Sequence, residues 1–192
     1  MKRILIINGH PNKESLCSAF AQSYKKGAES TGAQCILLNL IDVDFNPNLL
    51  YGFQKRIAME SDVLSMQQAI LDAQHIVIIY PNWWSTYPAI VKAFVDRVFI
   101  PKFAFSYRDN SIFIDRLLKG RSARLIVTMD SPGWYYSLFM KSPGHNSMKK
   151  GVLEFCGIKP VKITEFNMIK TSNQQKRIKW ITQVEELGQK QI

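Results

Sequence analysis

Residues 76–100 contain, in succession, an apolar run, a polar and aromatic bend, and a helical pattern: IVIIYPNWWSTYPAIVKAFVDRVFI. The run from Ile76 to Ile79 has no polar alternation, which is typical of a strand buried on both faces in a parallel sheet. Pro81 ends the strand, and Pro88 suits the first turn of a helix. From residue 90 to residue 98 the apolar side chains recur on one face, so the pattern predicts a helix that packs against the sheet.

The bend at residues 82–87 is the first candidate for a ligand site. In open α/β sheets ligands bind at the carboxyl ends of the strands, and this bend carries two adjacent indoles, Trp83 and Trp84. The indoles could plug a gap in the core or form a platform for a flat ligand. Polar neighbours favour the platform, because ligand pockets combine aromatic walls with a few polar groups: Asn82, Ser85 and Tyr87.

The composition is that of one soluble globular domain. The 192 residues are 46% hydrophobic and 21% charged, which predicts a single domain over residues 1–192. The apolar runs near Ile4 and Ile76 are too short to cross a membrane, and we expect no secretion signal in residues 1–7. The cysteines are odd in number and lack metal-like spacing: Cys17, Cys35 and Cys156. We therefore predict a cytoplasmic protein with reduced thiols and no metal site.

The formal net charge of +10 would favour an anionic partner. The basic residues are nevertheless scattered, apart from short pairs such as Lys25 with Lys26 and Lys149 with Lys150, and the sequence shows neither a basic stripe nor a known nucleic-acid-binding module. We therefore expect no nucleic-acid partner. A small phosphorylated ligand remains compatible with the charge.

A second candidate site follows the first predicted strand, Ile4 to Ile7. Residues 8–14 are turn formers, and Ser15 can cap a helix that ends near Gly32. A strand, a polar loop and a helix N-terminus can bind an anion, because unpaired N–H groups and the helix dipole point at the loop. Neither a Walker sequence nor Gly-x-Gly-x-x-Gly is present, so this predicts an anion site unlike those of such nucleotide folds.

The rest of the chain alternates between strands and helices. Further strands are predicted at residues 35–40, 121–129 and 161–166, further helices at 55–73, 147–155 and 174–187, and an insertion at 101–120. This alternation predicts a doubly wound, five-stranded parallel sheet of order 2-1-3-4-5 with helices on both faces. The switch point of that order lies between the first and third strands, which brings residues 10–15 next to residues 81–87.

Several segments together resemble the flavodoxin-like NAD(P)H:quinone oxidoreductases, the NAD(P)H dehydrogenase (quinone) family. The resemblance extends from the first strand to about Gly157. It rests on residues 8–11 (NGHP) with Ser15, 44–47 (DFNP), 81–85 (PNWWS), 88–92 (PAIVK), 96–99 (DRVF) and 155–157 (FCG).

The resemblance implies a flavin in the crevice, either FMN or, alternatively, FAD. It implies phosphate contacts from His10, Ser15, Leu16 and Cys17. It implies ring contacts from Pro81, Asn82, Trp83, Trp84, Ser85, Thr128, Ser131 and Gly133. Tyr136 and His145 are the implied catalytic residues near the pyrimidine end of the ring. Because negative charge develops there on reduction, we expect the Asp130 carboxylate to face solvent or a basic group.

The resemblance also implies an activity, in which hydride passes from NAD(P)H to the flavin and then to a quinone or another flat acceptor. Two alternatives share the fold: a flavin-binding regulatory subunit of an ion-efflux system, and an FMN reductase or azoreductase. We further expect a homodimer, because two segments carry more apolar residues than one sheet with its helices readily buries. These residues are Phe103, Phe105, Ile112, Phe113, Trp134, Tyr135, Leu138, Phe139 and Met140.

Overall fold

The computed structural model describes residues 1–52, 54–55 and 58–192. The strands are β1 Arg3–Asn8, β2 Gln34–Asn39, β3 His75–Pro81, β4 Phe105–Tyr107, β5 Ile114–Arg116, β6 Ser122–Met129 and β7 Val161–Asn167. The α-helices are α1 Leu16–Ser30, α2 Ser61–Asp72, α3 Ala89–Val98, α4 Gly133–Leu138, α5 Pro143–Asn146 and α6 Gln174–Gln189. A 3₁₀ turn spans Leu40–Asp42, and a π-helix spans Ser147–Glu154.

Five parallel strands form the central sheet, in the order β2-β1-β3-β6-β7. The numbering differs from the predicted 2-1-3-4-5, because β4 and β5 lie between the third and fourth strands of this sheet. They pair antiparallel with each other in a separate two-stranded sheet within the predicted insertion. The flavodoxin-like arrangement of a parallel sheet with helices on both faces is confirmed.

Strand β3 is buried along its whole length, because it pairs with β1 on one side and β6 on the other. Apolar side chains form one cluster on each face of the sheet. Helices α2 and α3 contribute to one cluster, and α1 and α6 to the other. None of the helices in the described part of the chain is long and apolar enough to cross a membrane.

Arg97 on α3 holds the segment that precedes α2. Its buried guanidinium donates to the Glu60 carboxylate at 2.5 Å and to the backbone carbonyl of Asn46. Burial opposes ionisation of Glu60, but the Asn46 N–H and the guanidinium outweigh it and hold the pKa of Glu60 below its usual value. Glu60 is extended, and α2 begins at Ser61. The sequence predicted a start at Lys55, so that part of the prediction is wrong. Residues 56 and 57 of the predicted helix lie outside the described residues.

The crossing of α1 and α6 depends on two glycines. A Cβ on Gly27 would lie 2.0 Å from the Glu185 carbonyl oxygen, and a Cβ on Gly188 would lie 2.2 Å from the Tyr24 carbonyl oxygen. The backbones of the two helices therefore approach more closely than any side chain at either position would permit. This contact holds α6 on the same face of the sheet as α1.

We expect Gly188→Ala to lower the free energy of unfolding by about 1–3 kcal/mol, because the added methyl group forces the helices apart. Gly151→Ala is the matched control, since a Cβ there meets nothing within 4 Å. Urea denaturation of both variants measures the difference. Equal midpoints for the two variants would contradict the close packing of α1 and α6.

Candidate functional site

The loop after β1 is held by the buried side chain of Asn8. Its amide nitrogen donates to Ser18 Oγ at 2.9 Å and to Asn39 Oδ1 at 3.1 Å, while its Oδ1 accepts the N–H of His10 at 3.2 Å. One amide therefore joins the ends of β1 and β2 to the first turn of α1. The loop is set by these bonds and presents His10 at the carboxyl edge of the sheet.

The His10 ring is oriented by the backbone. Its Nδ1 accepts the N–H of Asn12 at 2.9 Å, so the neutral ring carries its proton on Nε2. Burial lowers the pKa of His10, which favours that neutral form. The ring also meets the edge of Trp83, with centroids 5.6 Å apart. His10 can therefore donate an Nε2–H beside an indole.

Ser15 caps α1 as predicted, since its Oγ accepts the N–H of Ser18 at 3.2 Å. The N–H groups of Leu16 and Cys17, in the first turn, lack intrahelical acceptors by helix geometry. Burial raises the pKa of the Cys17 thiol to about 12, and its sulfur lies 3.4 Å from Thr128 Oγ1. The thiol is thus neutral at physiological pH and adds no negative charge to the helix N-terminus.

The tryptophan bend is a tight turn. Trp83 and Thr86 exchange backbone hydrogen bonds of 2.9 and 3.0 Å, while Trp84 and Ser85 have φ of 51° and 61°. Positive φ at both central residues defines a type I′ turn, which usually has Gly or Asn at those positions. Trp84 is 98% exposed, so it is not a core plug. Tyr87, in contrast, is buried against Tyr80.

The loop after β6 brings Asp130 and Gly133 to the same edge of the sheet. Asp130 accepts the backbone N–H of Lys170 at 2.8 Å and lies 3.4 Å from its Nζ, so the carboxylate faces a basic group, as expected. A Cβ on Gly133 would lie 2.4 Å from the side-chain amide of Asn167 on β7. Glycine at residue 133 therefore lets the loop pack closely on β7.

These loops enclose a cleft of about 340 Å³. It is lined by eight of the predicted flavin-binding residues: His10, Ser15, Leu16, Cys17, Pro81, Asn82, Trp83 and Thr128. It is also lined by Asn12, Met129, Asp130, Ile169 and Arg177. Arg177 was not predicted, because it lies on the terminal helix and no local motif marks it. The other four predicted flavin-binding residues, Trp84, Ser85, Ser131 and Gly133, do not line this cleft, and neither do the predicted catalytic residues Tyr136 and His145.

Tyr136 is buried beneath the tryptophan turn. Its hydroxyl donates to the Ser85 carbonyl at 3.2 Å and accepts the N–H of Gly144 at 3.0 Å. Burial is the main cause that raises the pKa of Tyr136, so the hydroxyl is protonated at neutral pH. A Cβ on Gly144 would lie 2.6 Å from the same Ser85 oxygen. The tyrosine therefore joins α4, α5 and the turn at one point.

His145 packs edge-on against the Tyr136 ring, with centroids 5.0 Å apart, and is 4% exposed. Its Nδ1 lies 3.1 Å from Oε1 of Glu165 on β7. Sequence reasoning missed Glu165, although one signal was available. Val161, Ile163, Glu165 and Asn167 alternate onto one face of β7, and that face changes from apolar to polar at the carboxyl end, where ligands bind.

Helix α4 and the β4–β5 sheet expose apolar side chains, as the prediction of a homodimer anticipated. Of the residues behind that prediction, Phe105 is buried, but most are exposed: Ile112, Phe113, Trp134, Tyr135, Leu138, Phe139 and Met140. Tyr107, which was not among them, is exposed as well. Trp134 and Tyr135 on α4 and Phe139, the residue after it, contact one another through their rings. We name these three residues with Leu138 the α4 aromatic surface.

Residues 2–187 match the protein family described as flavodoxin-like fold. An uncharacterized NAD(P)H oxidoreductase of Haemophilus influenzae is 31% identical over 172 residues, which cover 86% of this chain and 83% of the relative. The human ribosyldihydronicotinamide dehydrogenase (quinone) is 28% identical over 187 residues, which cover 82% of this chain and 78% of the relative.

Solved structures agree with this assignment. A Streptococcus mutans UA159 protein, 28% identical, superposes with a TM-score of 0.84 over 98% of this chain and 99% of its own. An NAD(P)H:quinone oxidoreductase of Methanothermobacter marburgensis has a TM-score of 0.82 over 100% of this chain and 99% of its own, and at 18% identity it shows the fold alone. The chain therefore belongs to the flavodoxin-like family, together with NAD(P)H oxidoreductases and quinone dehydrogenases of similar sequence.

Proposed function

We propose that this oxidoreductase binds a flavin in the cleft and uses it to carry hydride from NAD(P)H to a quinone or another flat acceptor. One observation carries the proposal. The loop after β1, where the sequence predicts an anion site, and the tryptophan turn after β3 line the same cleft, at the switch point of the sheet. The names of the relatives, an NAD(P)H oxidoreductase and a quinone dehydrogenase, support the same class of reaction.

The cleft residues fit a flavin phosphate. His10 offers an Nε2–H, and Leu16 and Cys17 offer first-turn N–H groups at the positive end of the α1 dipole. Arg177 adds a permanent positive charge to the same cleft. Pro81 and Trp83 supply an apolar wall for a planar ring beside this anion site.

A bound flavin supplies the chemistry of a two-electron carrier between donor and acceptor. The chain binds and orients the reactants. Asn82 borders the cleft, and its backbone is held by a hydrogen bond of 2.7 Å to the Thr128 carbonyl, so the loops after β3 and β6 keep a fixed separation. Trp84 projects from the rim, where it can stack on a flat nicotinamide or quinone. We assign proton exchange to Tyr136 and His145, which lie behind that rim.

The same arrangement suits other flat acceptors, such as azo compounds. An FMN-dependent NADH-azoreductase of Bacillus anthracis, solved with FMN, shares the fold with a TM-score of 0.75 at 19% identity. A regulatory subunit of an ion-efflux system would bind flavin but turn over little substrate alone. Assays of the isolated chain with quinones and azo dyes therefore distinguish the three functions.

We also propose that the active unit is a homodimer formed through the α4 aromatic surface. A contiguous aromatic surface of this kind is uncommon on a monomer, and a two-fold axis is the commonest way to bury identical surfaces. The surface lies immediately after the loop that follows β6. Dimerisation would therefore place the partner beside the cleft.

We expect the purified chain to bind one flavin per chain after incubation with FMN or FAD, as seen in the visible absorption spectrum. His10→Ala should weaken binding about tenfold, because it removes one donor to the phosphate. Ser30→Ala, at the opposite end of α1, is the control and should bind normally. No flavin absorbance with either cofactor would refute the proposed function.

Trp84→Ala should raise the KM for the acceptor while changing the free energy of unfolding by less than about 0.5 kcal/mol, because the side chain is 98% exposed. Leu64→Ala, an exposed apolar side chain on α2, is the control for both measurements. A large loss of stability with an unchanged KM would show that the indole has a structural role.

Phe139→Glu should convert a dimer into monomers at micromolar concentration, because a charge in an apolar interface is costly to bury. Light scattering measures the mass, and Leu64→Glu controls for an added charge on another exposed apolar position. A wild-type monomer with full activity per chain would contradict the homodimer.

A further inference from the structure

We propose that Glu165 is a positioning residue that fixes the tautomer and orientation of His145, so that Nε2 of His145 is the ring atom available for proton exchange. The geometric part of this inference rests only on the Glu165–His145 pair. Its catalytic consequence rests on the proposed function.

The first support is the placement of Glu165. On β7, Ile163 and Glu165 share a face, and Ile163 packs against the apolar cluster that α2 and α3 also contribute to. Glu165 therefore extends the same face, with a side chain only 28% exposed. A carboxylate in such a position needs a compensating partner. His145 and the side-chain amide of Asn167 are its hydrogen-bonding partners.

The second support is the protonation state of the pair. The hydrogen bond to His145 is the main cause that holds the pKa of Glu165 below its usual value, against its desolvation. An ionised carboxylate can only accept hydrogen bonds. The proton between the two side chains must therefore reside on Nδ1 of His145, which leaves Nε2 unprotonated in the neutral ring.

The third support is the unused nitrogen. Nε2 of His145 is buried and has no hydrogen-bond partner among the described residues. A buried polar atom without a partner is costly and calls for an explanation, such as a role in catalysis. The ring cannot easily reorient to relieve this cost, because Nδ1 is bound to Glu165 and the ring packs against Tyr136.

Conversion of a quinone to a hydroquinone takes up one hydride, which the proposed reaction provides, and one proton. The His145 imidazolium would give that proton from Nε2 and become neutral, with its remaining proton on Nδ1 towards Glu165. Glu165, 3.1 Å from Nδ1, stabilises the imidazolium before the transfer. His145 is the candidate catalytic residue, and Glu165 acts through it.

The tautomer can be measured without turnover. The chain has three histidines, so protein labelled with ¹⁵N-histidine gives few ring signals, and His145→Gln assigns those of His145. We expect an Nδ1–H tautomer for neutral His145 in the wild type and its loss or mixing with the Nε2–H form in Glu165→Ala. Glu186→Ala, an exposed carboxylate on α6, is the charge-matched control and should leave the tautomer unchanged.

A double-mutant cycle tests the catalytic part. Glu165→Ala should lower kcat for quinone reduction about tenfold or more, with flavin occupancy and the KM for NAD(P)H within about twofold of wild type. The same substitution in a His145→Gln background should have no further effect on kcat. Urea denaturation checks folding, and the isosteric Glu165→Gln replaces the alanine variant if that variant does not fold.

Two results would overturn the inference: an unchanged His145 tautomer in both Glu165 variants, or independent, multiplicative losses of kcat in the cycle. A wild-type protein that binds no flavin or reduces no quinone would instead refute the proposed function. The tautomer measurement would still decide whether Glu165 positions His145.

Discussion

The parallel pairing of β3 with β1 and β6 is the constraint on which the candidate site depends. The register aligns Asn8 with Ile79 and Pro81 with Thr128, so three strands end at nearly the same level. Gly9 continues the alignment past the end of β1 by donating to the Ile79 carbonyl at 2.8 Å. Since side chains bury β3 on both faces, the residues around β3 that can reach a ligand lie in the loops at this edge.

Those loops are held in place by hydrogen bonds, each to a different part of the chain. Asn8 ties the first loop to α1 and β2, Asn82 N–H binds the Thr128 carbonyl, and the Tyr136 hydroxyl binds the Ser85 carbonyl. Positive φ at Trp84 and Ser85 is unfavourable for these residues and persists only where the surroundings enforce it. The exposure of Trp84 is therefore a consequence of an anchored turn.

Two histidines border this region in complementary states. His10 accepts a backbone N–H at Nδ1 and so offers a proton at Nε2, which suits an anion. His145 Nδ1 lies 3.1 Å from the Glu165 carboxylate, so under the inference above the neutral ring carries its lone pair on Nε2. The two rings differ because Nδ1 of His10 accepts a backbone N–H, whereas Nδ1 of His145 faces a carboxylate. Under the proposed function, His10 would donate to the phosphate, and His145 would exchange a proton at Nε2.

The amino-acid sequence by itself determined the features that depend on neighbouring residues. The unbroken apolar runs at residues 4–7 and 76–79 predicted buried parallel strands, and Ser15 predicted a helix cap, because burial on both faces and capping leave local signals. The alternation of strands and helices then predicted the switch point. It brought together the loops of His10 and Trp83, which do line one cleft.

Only the tertiary structure decided the features that depend on residues far apart in the chain. The start of α2 at Ser61 follows from the contact between Arg97 and Glu60. Arg177 lines the cleft because α6 docks on α1. His145 has its partner because Glu165 lies on β7. Each requires two segments that are brought together by packing of the sheet and its helices. A local sequence pattern does not indicate such a contact, because the contact forms and contributes energy only when the chain has folded.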